Sequence, residues 1–243
     1  MLQRHDVAYY ACPKCGLVCT ERPHWLQEAY ANPIAPTDIG LVARNRALVR
    51  PTTLVLAVLC NGGGRFLDFG GGNGLFVRMM RDTGFDFRWL DPWTQNLFAR
   101  GFEHHPGGRY EAVTAFEVFE HLPEPRETLG ELAAITDTIL ISTEILPAPR
   151  PQPEAWWYYA LESGQHVTLY TVKALEALGA AHGLQLHTNG INLHLLTRRK
   201  ITRGLFACLV RPLVARVLQP LVGRRASLLP ADFTTLTGRH LDR

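Results

Sequence analysis

No stretch of about 18 uncharged apolar residues occurs in the chain, so no transmembrane helix is predicted. The opening residues, Met1-Leu2-Gln3-Arg4-His5-Asp6, carry no apolar signal segment. Cysteines number only five, an odd count, which argues for reduced thiols rather than a disulfide framework and for a cytoplasmic location. Acidic residues are missing from Arg198 to Arg225, where eight bases lie: Arg198, Arg199, Lys200, Arg203, Arg211, Arg216, Arg224 and Arg225. The net charge is +3, so the remainder of the chain carries −5. With a mildly acidic body, no nucleic-acid-binding face is expected on the main domain. With 47% apolar and 19% charged residues in 243, the chain has the composition of one α/β unit with additions and a real core.

What is present is concentrated from Arg65 to Leu75, R-F-L-D-F-G-G-G-N-G-L. Phe66 and Leu67 read as a short buried strand. Four glycines follow in five positions (Gly70, Gly71, Gly72, Gly74), and Leu75 to Met80 opens an amphipathic helix. Strand, glycine turn and helix let backbone approach a nucleotide-like ligand closely. The spacing is not the dinucleotide pattern G-x-G-x-x-G, and an acid, Asp68, precedes the turn. An acid there repels a pyrophosphate and attracts a cation, which disfavours a dehydrogenase. Asp91 ends the second expected strand, Phe87–Leu90, 17 residues after Gly74. There a carboxylate can accept hydrogen bonds from both ribose hydroxyls, or merely start a turn with Pro92.

Two further clusters carry chemistry. Cys12-x-x-Cys15-Gly16 has the form of a zinc knuckle, with Cys19 and His24 available to complete four ligands, although a second C-x-x-C is lacking. Glu117-x-x-Glu120-His121 leads from a strand into a loop, and two carboxylates with a histidine can bind a hard cation. They can equally form a hydrogen-bonded corner.

Several of these motifs match one family. Asp68 to Gly74, D-x-G-x-G-x-G, resembles the first motif of class I S-adenosylmethionine (SAM)-dependent methyltransferases. Glu117 to Leu122 followed by Pro123 resembles the motif after the fourth strand of small-molecule members, including the ubiquinone-pathway O-methyltransferases. Trp157-Tyr158, Gly164-Gln165-His166 and Tyr170-Thr171 resemble a bacterial group associated with polysaccharide and cell-surface gene clusters, which shares the C-x-x-C entrance; the likeness covers residues 8–197.

The resemblance implies a Rossmann-like α/β fold: a seven-stranded, mostly parallel sheet with helices on both faces and the last strand antiparallel. To this it adds an N-terminal knuckle and C-terminal amphipathic helices. The expected divisions are 1–36 (cysteine-containing segment), 37–197 (SAM-binding domain) and 198–243 (basic extension). SAM would rest on Asp68, Gly70, Gly71, Gly72, Gly74, Asp91, Pro92, Phe116 and Glu117. Glu117, Glu120 and His121 would hold magnesium or line the acceptor pocket; Cys12 and Cys15 would hold zinc. A histidine, which titrates near neutrality, suits removal of a hydroxyl proton; His166 and His121 are the candidates, with Glu120 beside them. The reaction would be O-methylation of a sugar, glycan or lipid-linked intermediate in cell-surface or secondary metabolism. The alternative is an inactive methyltransferase-like scaffold. One departure stands out: the third strand with its adenine-contacting acid is hard to find, and only Phe102-Glu103 can stand in for it.

Elsewhere, apolar spacing from Ile39 to Cys60 predicts two helices divided by Pro51, the first capped at Thr37-Asp38. Thr138–Thr143 reads as a buried strand. Trp156 to Tyr159, after a proline-rich loop, reads as a lid over a substrate site or as core. Thr171 caps a helix from Val172 to His182. Leu184–His187 and Leu193–Thr197 form a hairpin around Asn189-Gly190. The basic amphipathic run 198–225, interrupted by Pro212 and Pro220, suits the anionic inner face of a membrane, the domain itself, or a second subunit in a homodimer.

Overall fold

The computed structural model of the chain describes residues 1–31, 33–34, 38–60, 63–222 and 225–241. In chain order it forms β1 (Tyr9–Ala11), β2 (Val18–Thr20), α1 (Leu26–Ala29), α2 (Leu41–Leu59), β3 (Arg65–Phe69), α3 (Leu75–Asp82), β4 (Asp86–Leu90) and β5 (Ala112–Phe116). Next come α4 (Pro125–Ile135), β6 (Thr138–Ser142), β7 (Thr168–Leu169), α5 (Val172–Ala180), β8 (Gln185–Thr188) and β9 (Leu193–Thr197). The chain closes with α6 (Leu205–Leu209), α7 (Pro212–Val222) and α8 (Leu229–Thr237). The main sheet has the strand order β4-β3-β5-β6-β9-β8. Among the described residues it has six strands where seven were expected. The missing place is taken by a single parallel bridge of Trp89 to Glu103, so Phe102-Glu103 is the remnant of that strand.

Two compact units make up the chain. One comprises Ile39–Thr114 and Ile201–Arg243. At its centre β3 pairs in parallel with β4 and with β5, Phe66 standing opposite Phe87 and Ala112. Phe66, Leu67, Phe87 and Val113 are fully buried, as expected of a parallel strand covered on both faces. The Phe66 ring stacks on Phe87 with centroids 5.3 Å apart. Contrary to the expected break at Pro51, α2 is one 19-residue helix with Pro51 inside it. Losing one amide donor there is offset by burial, since Pro51 to Leu56 are all buried and α2 packs on α3 and α7. Pro220 likewise sits within α7 rather than ending it. Helix α8, which the sequence pattern did not announce, is fixed by Asp232. Its carboxylate accepts Arg81 Nε at 2.8 Å and Arg81 Nη2 at 2.6 Å.

The other unit comprises Met1–Asp38 and Ala115–Lys200. Here β6 and β8 both pair antiparallel with β9, so the expected hairpin forms around Asn189-Gly190. Thr171 caps α5 as expected, its side chain accepting the Ala174 amide at 3.0 Å. A second, three-stranded sheet, β1-β2-β7, was not foreseen; it builds the cysteine segment into a hairpin braced by Thr168–Leu169. Trp25 is buried and its indole N–H donates to the Gly164 carbonyl at 2.8 Å. Of the cap expected at Thr37-Asp38, Thr37 lies outside the described residues, and α2 begins at Leu41 after Gly40.

Candidate functional site

The glycine turn is built by three left-handed glycines, Gly70, Gly72 and Gly74, at φ 67°, 53° and 84°. At Gly72 a side chain would meet nothing within 4 Å, so the turn presents bare backbone to open space. Gly74 starts α3 and is pressed close: a Cβ there would lie 2.9 Å from Ala99 Cβ and 3.1 Å from the Ala99 amide. Neighbouring groups hold the turn rigid. The Gly70 amide donates to Leu90 O at 2.8 Å, and Trp89 Nε1 donates to Gly72 O at 2.7 Å. Sequence reasoning overlooked Trp89; its place at the end of β4, facing the turn, becomes visible only with strand register.

Two carboxylates flank this backbone. Asp68 is buried and accepts the Thr114 hydroxyl at 2.6 Å. Burial, with a smaller contribution from the nearby negative charge of Asp91, pushes its pKa up to about 7. Asp91 accepts the Gly72 amide on Oδ2 at 2.9 Å, and the Trp93 and Thr94 amides on Oδ1 at 2.8 and 2.9 Å. The carboxylate thus ties the glycine turn to the loop after β4, and one of its four lone-pair positions is left for a ligand. Pro92 follows it, exposed. Glu103 spends Oε1 on Asn96 Nδ2, 2.8 Å, and on the Gly101 amide, 3.2 Å.

In the other unit, Phe116 ends β5 and Glu117 follows in the left-handed region, φ 53°. That conformation costs roughly 1–2 kcal/mol for a residue with a Cβ. Ser142 holds it, donating its hydroxyl to Glu117 Oε1 at 2.6 Å and accepting the Glu117 amide at 2.9 Å. A non-glycine residue kept there at the end of a strand marks a constrained site.

A short 3-10 turn, Phe119–His121, then carries Glu120 and His121. Glu120 is fully buried and accepts the Tyr158 hydroxyl at 2.7 Å. Burial first, then the Glu120 charge, raises the Tyr158 pKa well above its ordinary value, so this hydroxyl stays a donor. His121 Nδ1 lies 3.1 Å from the Gln165 carbonyl, and His166 Nδ1 2.6 Å from the Tyr158 carbonyl. The two imidazoles meet edge to face, centroids 4.8 Å apart. One ligand atom from each of Glu120, His121 and His166 falls within 4.8 Å of the others. All three candidates named from the sequence for proton chemistry therefore converge, although His166 comes from a different loop. Glu117 was expected beside Glu120 and His121 as a cation ligand; among the described residues it is not in that group, because its carboxylate is given to Ser142.

Two readings that the sequence left open are narrowed. Tyr158 and Tyr159 are core residues, 0% and 2% exposed, and only Trp157 at 73% is open; the aromatic run packs with Val18, Leu146 and Leu169 instead of forming a free lid. The zinc knuckle is not supported. Among the described residues the one group of three candidate ligands is the Glu120 cluster, and Cys12, Cys15, Cys19 and His24 do not form another. His24 packs edge-on against Trp25 and His5. Cys12 is nonetheless held below the usual thiol range, chiefly by the Cys15 and Lys14 amides, while burial raises Cys19.

No curated protein matches the chain. Among solved structures, the 1,6-didemethyltoxoflavin-N1-methyltransferase of Burkholderia thailandensis, crystallised with 1,6-didemethyltoxoflavin and S-adenosylhomocysteine, is 13% identical. The match covers 82% of this chain and all of that one, with TM-score 0.51. A family 2 O-methyltransferase of Planctomyces limnophilus, in complex with apigenin, is 15% identical over 74% of this chain and 62% of that one, TM-score 0.50. CalO1, a methyltransferase of calicheamicin biosynthesis in its S-adenosylhomocysteine-bound form, is 15% identical, TM-score 0.44, over 61% of this chain. The chain spans 54% of the length of CalO1. A family model described as a methyltransferase domain matches residues 42–189, more than half of the sequence, and the chain belongs to that methyltransferase-domain family.

Proposed function

We propose that the chain is a SAM-dependent methyltransferase acting on a hydroxyl of a small-molecule or glycan acceptor. The observation that carries the reading is the bare backbone at Gly72, open for 4 Å on its Cβ side and flanked by Asp68 and Asp91. A cationic, ribose-bearing cofactor fits that setting: bare backbone that lets it approach closely, the Asp91 carboxylate for the ribose and a buried carboxylate, Asp68, for positive charge. Asp68, Gly70, Gly71, Gly72, Gly74, Asp91 and Pro92 are the residues proposed to hold it. Bound SAM supplies an electrophilic methyl group on a sulfonium.

The chain's own task is then to position an acceptor and to remove its proton. Since a carbonyl oxygen can only accept, each histidine carries its hydrogen on Nδ1 and its lone pair on Nε2. His166 Nε2 is the proposed base, with His121 the rival and Glu120 beside them. The deciding experiment measures SAM affinity by calorimetry and labelled-methyl transfer to a panel of nucleotide sugars and phenols. His166→Ala should lower turnover by about 10²–10⁴ with SAM affinity unchanged. Absence of SAM binding by the wild-type chain would favour the rival reading, an inactive scaffold.

Contact with an anionic membrane surface is proposed as well, for the segment 198–225. Leu213, Val217 and Leu221 are 76%, 62% and 74% exposed on successive turns of α7, and Arg211 and Arg216 beside them are exposed too. An apolar stripe edged by bases suits acidic headgroups. Co-sedimentation with phosphatidylglycerol vesicles, weakened by salt and absent with phosphatidylcholine alone, is the expected result.

A further inference from the structure

We propose that Glu120, His121 and His166 form a binding site for one divalent transition-metal ion, of the two-histidine, one-carboxylate kind. Three observations carry it. First, the ligand atoms converge within 4.8 Å of one another. Bonds of about 2.0–2.2 Å to one ion require them to close to roughly 3–3.5 Å, a movement that small side-chain rotations supply.

Second, both imidazoles are prepared in the way ligating histidines are. His121 Nδ1 donates to the Gln165 carbonyl at 3.1 Å and His166 Nδ1 to the Tyr158 carbonyl at 2.6 Å. These bonds fix the tautomer with the lone pair on Nε2 and fix the ring plane, the outer-shell role usual around metal-bound histidine. Third, one fully buried residue orients two of the three ligands. Tyr158 aligns His166 through its carbonyl and Glu120 through its hydroxyl, 2.7 Å from Oε1. A core tyrosine holding a carboxylate and an imidazole toward each other is a built arrangement, not a chance surface cluster.

The donor set selects the ion. Two imidazole nitrogens and one carboxylate oxygen suit zinc, manganese, iron(II), cobalt or nickel; magnesium and calcium prefer oxygen throughout. Glu117, whose participation would favour a hard cation, is bonded to Ser142 instead. The site stands independently of the methyl-transfer reading and touches it at one point. An ion on His166 Nε2 and a proton taken by His166 Nε2 are exclusive.

The test uses the purified full chain, stripped with chelator and titrated with cobalt(II), followed by visible absorption and by calorimetry without SAM. One equivalent of cobalt per chain is expected. His121→Gln and His166→Gln should each lose at least tenfold in affinity, and Tyr158→Phe, which keeps the carbonyl, should lose about 10–100-fold. Cys12→Ser/Cys15→Ser should bind like wild type. Should a histidine variant fold poorly, zinc titration of wild-type protein with labelled histidine reads the same point through shifts of the His121 and His166 Nε2 resonances. Cobalt uptake equal in wild type and histidine variants, or lost in the cysteine variant, overturns the proposal, as does the absence of Nε2 shifts. SAM affinity measured alongside separates the readings: loss of SAM binding sinks the enzyme and leaves the metal site standing.

Discussion

The Gly72 amide donates to Asp91 Oδ2 at 2.9 Å, joining the glycine turn to the end of the neighbouring strand through one side chain. With the Trp93 and Thr94 amides on the other oxygen, Asp91 organises two loops before any ligand arrives. Asp91→Ala should therefore weaken SAM binding by about 1.5–3 kcal/mol, the value of hydrogen bonds to a charged group. It should also lower thermal stability, because three amides lose their acceptor. Calorimetry and a melting curve on the same sample check both; an affinity loss with no stability loss would mean that Asp91 does not fix the loops.

Asp68 and His194 titrate in opposite senses. Asp68, pushed up by burial to about pH 7, holds a proton in the folded state that the unfolded chain has already released. Its contribution to stability is full below the ordinary carboxylate range and is lost as pH rises through 7. His194, fully buried on β9 and pushed down by burial to about 4, stays neutral while the unfolded chain takes up a proton. Its contribution is present above about pH 6.5 and is lost as pH falls toward 4. Between these limits the two slopes oppose each other. Asp68→Asn removes the falling one, so the variant's melting temperature should climb more steeply than that of wild type between about pH 4.5 and 6.5. Parallel profiles would contradict the protonated state of Asp68. In the wild type, a cationic cofactor favours the Asp68 anion, so SAM should bind more tightly as pH rises to about 7.

The C-terminal segment should prove part of the folded core. Arg81 is 4% exposed. It holds Asp232 bidentately, donates to Phe87 O at 3.0 Å, pairs with Asp86 and lies 3.8 Å over the Phe102 ring. Removing Asp232 leaves Nε and Nη2 of a buried guanidinium without their acceptor. Asp232→Ala should cost about 3–5 kcal/mol of unfolding free energy. Truncation before α8 should cost a comparable amount in a urea melt, and an unchanged midpoint would show that α8 is merely appended.

Much of this was legible in local pattern. The strand, alternating glycines and amphipathic helix from Arg65 to Asp82 announce themselves within 18 residues, as do the Thr171 cap and the hairpin at Asn189-Gly190. What stayed hidden depends on long-range packing. Arg81 and Asp232 are 151 positions apart, and nothing near either names the other. Pro51 reads as a breaker until the burial of the following turn outweighs the lost hydrogen bond. His166 could be listed beside His121 as a candidate base, but their meeting depends on the backbone carbonyls of Tyr158 and Gln165, which leave no trace in residue type. The aromatic run was ambiguous for the same reason: exposure at Trp157 and burial at Tyr158 are decided by the second sheet, itself unforeseen.

The glycine turn offers the sharpest separation of folding from binding. Gly72 and Gly74 both have left-handed backbone, at φ 53° and 84°, so alanine at either position costs roughly 1–2 kcal/mol in backbone strain. Their surroundings differ. Beyond Gly72 there is nothing within 4 Å, whereas a Cβ at Gly74 would press on Ala99 Cβ at 2.9 Å and on the Ala99 backbone amide at 3.1 Å. Backbone cannot rotate away as a flexible side chain can, so Gly74→Ala adds an overpacking cost and should lose about 2–4 kcal/mol in all. Gly72→Ala should fold with only the smaller loss. If the open space at Gly72 is where the cofactor lies, the added methyl occupies it, and SAM affinity should fall more than tenfold while the melting temperature shifts by a few degrees. Gly74→Ala should show the reverse balance, a large stability loss with weakened binding following from it. A Gly72→Ala protein that binds SAM like wild type would place the cofactor elsewhere on the chain.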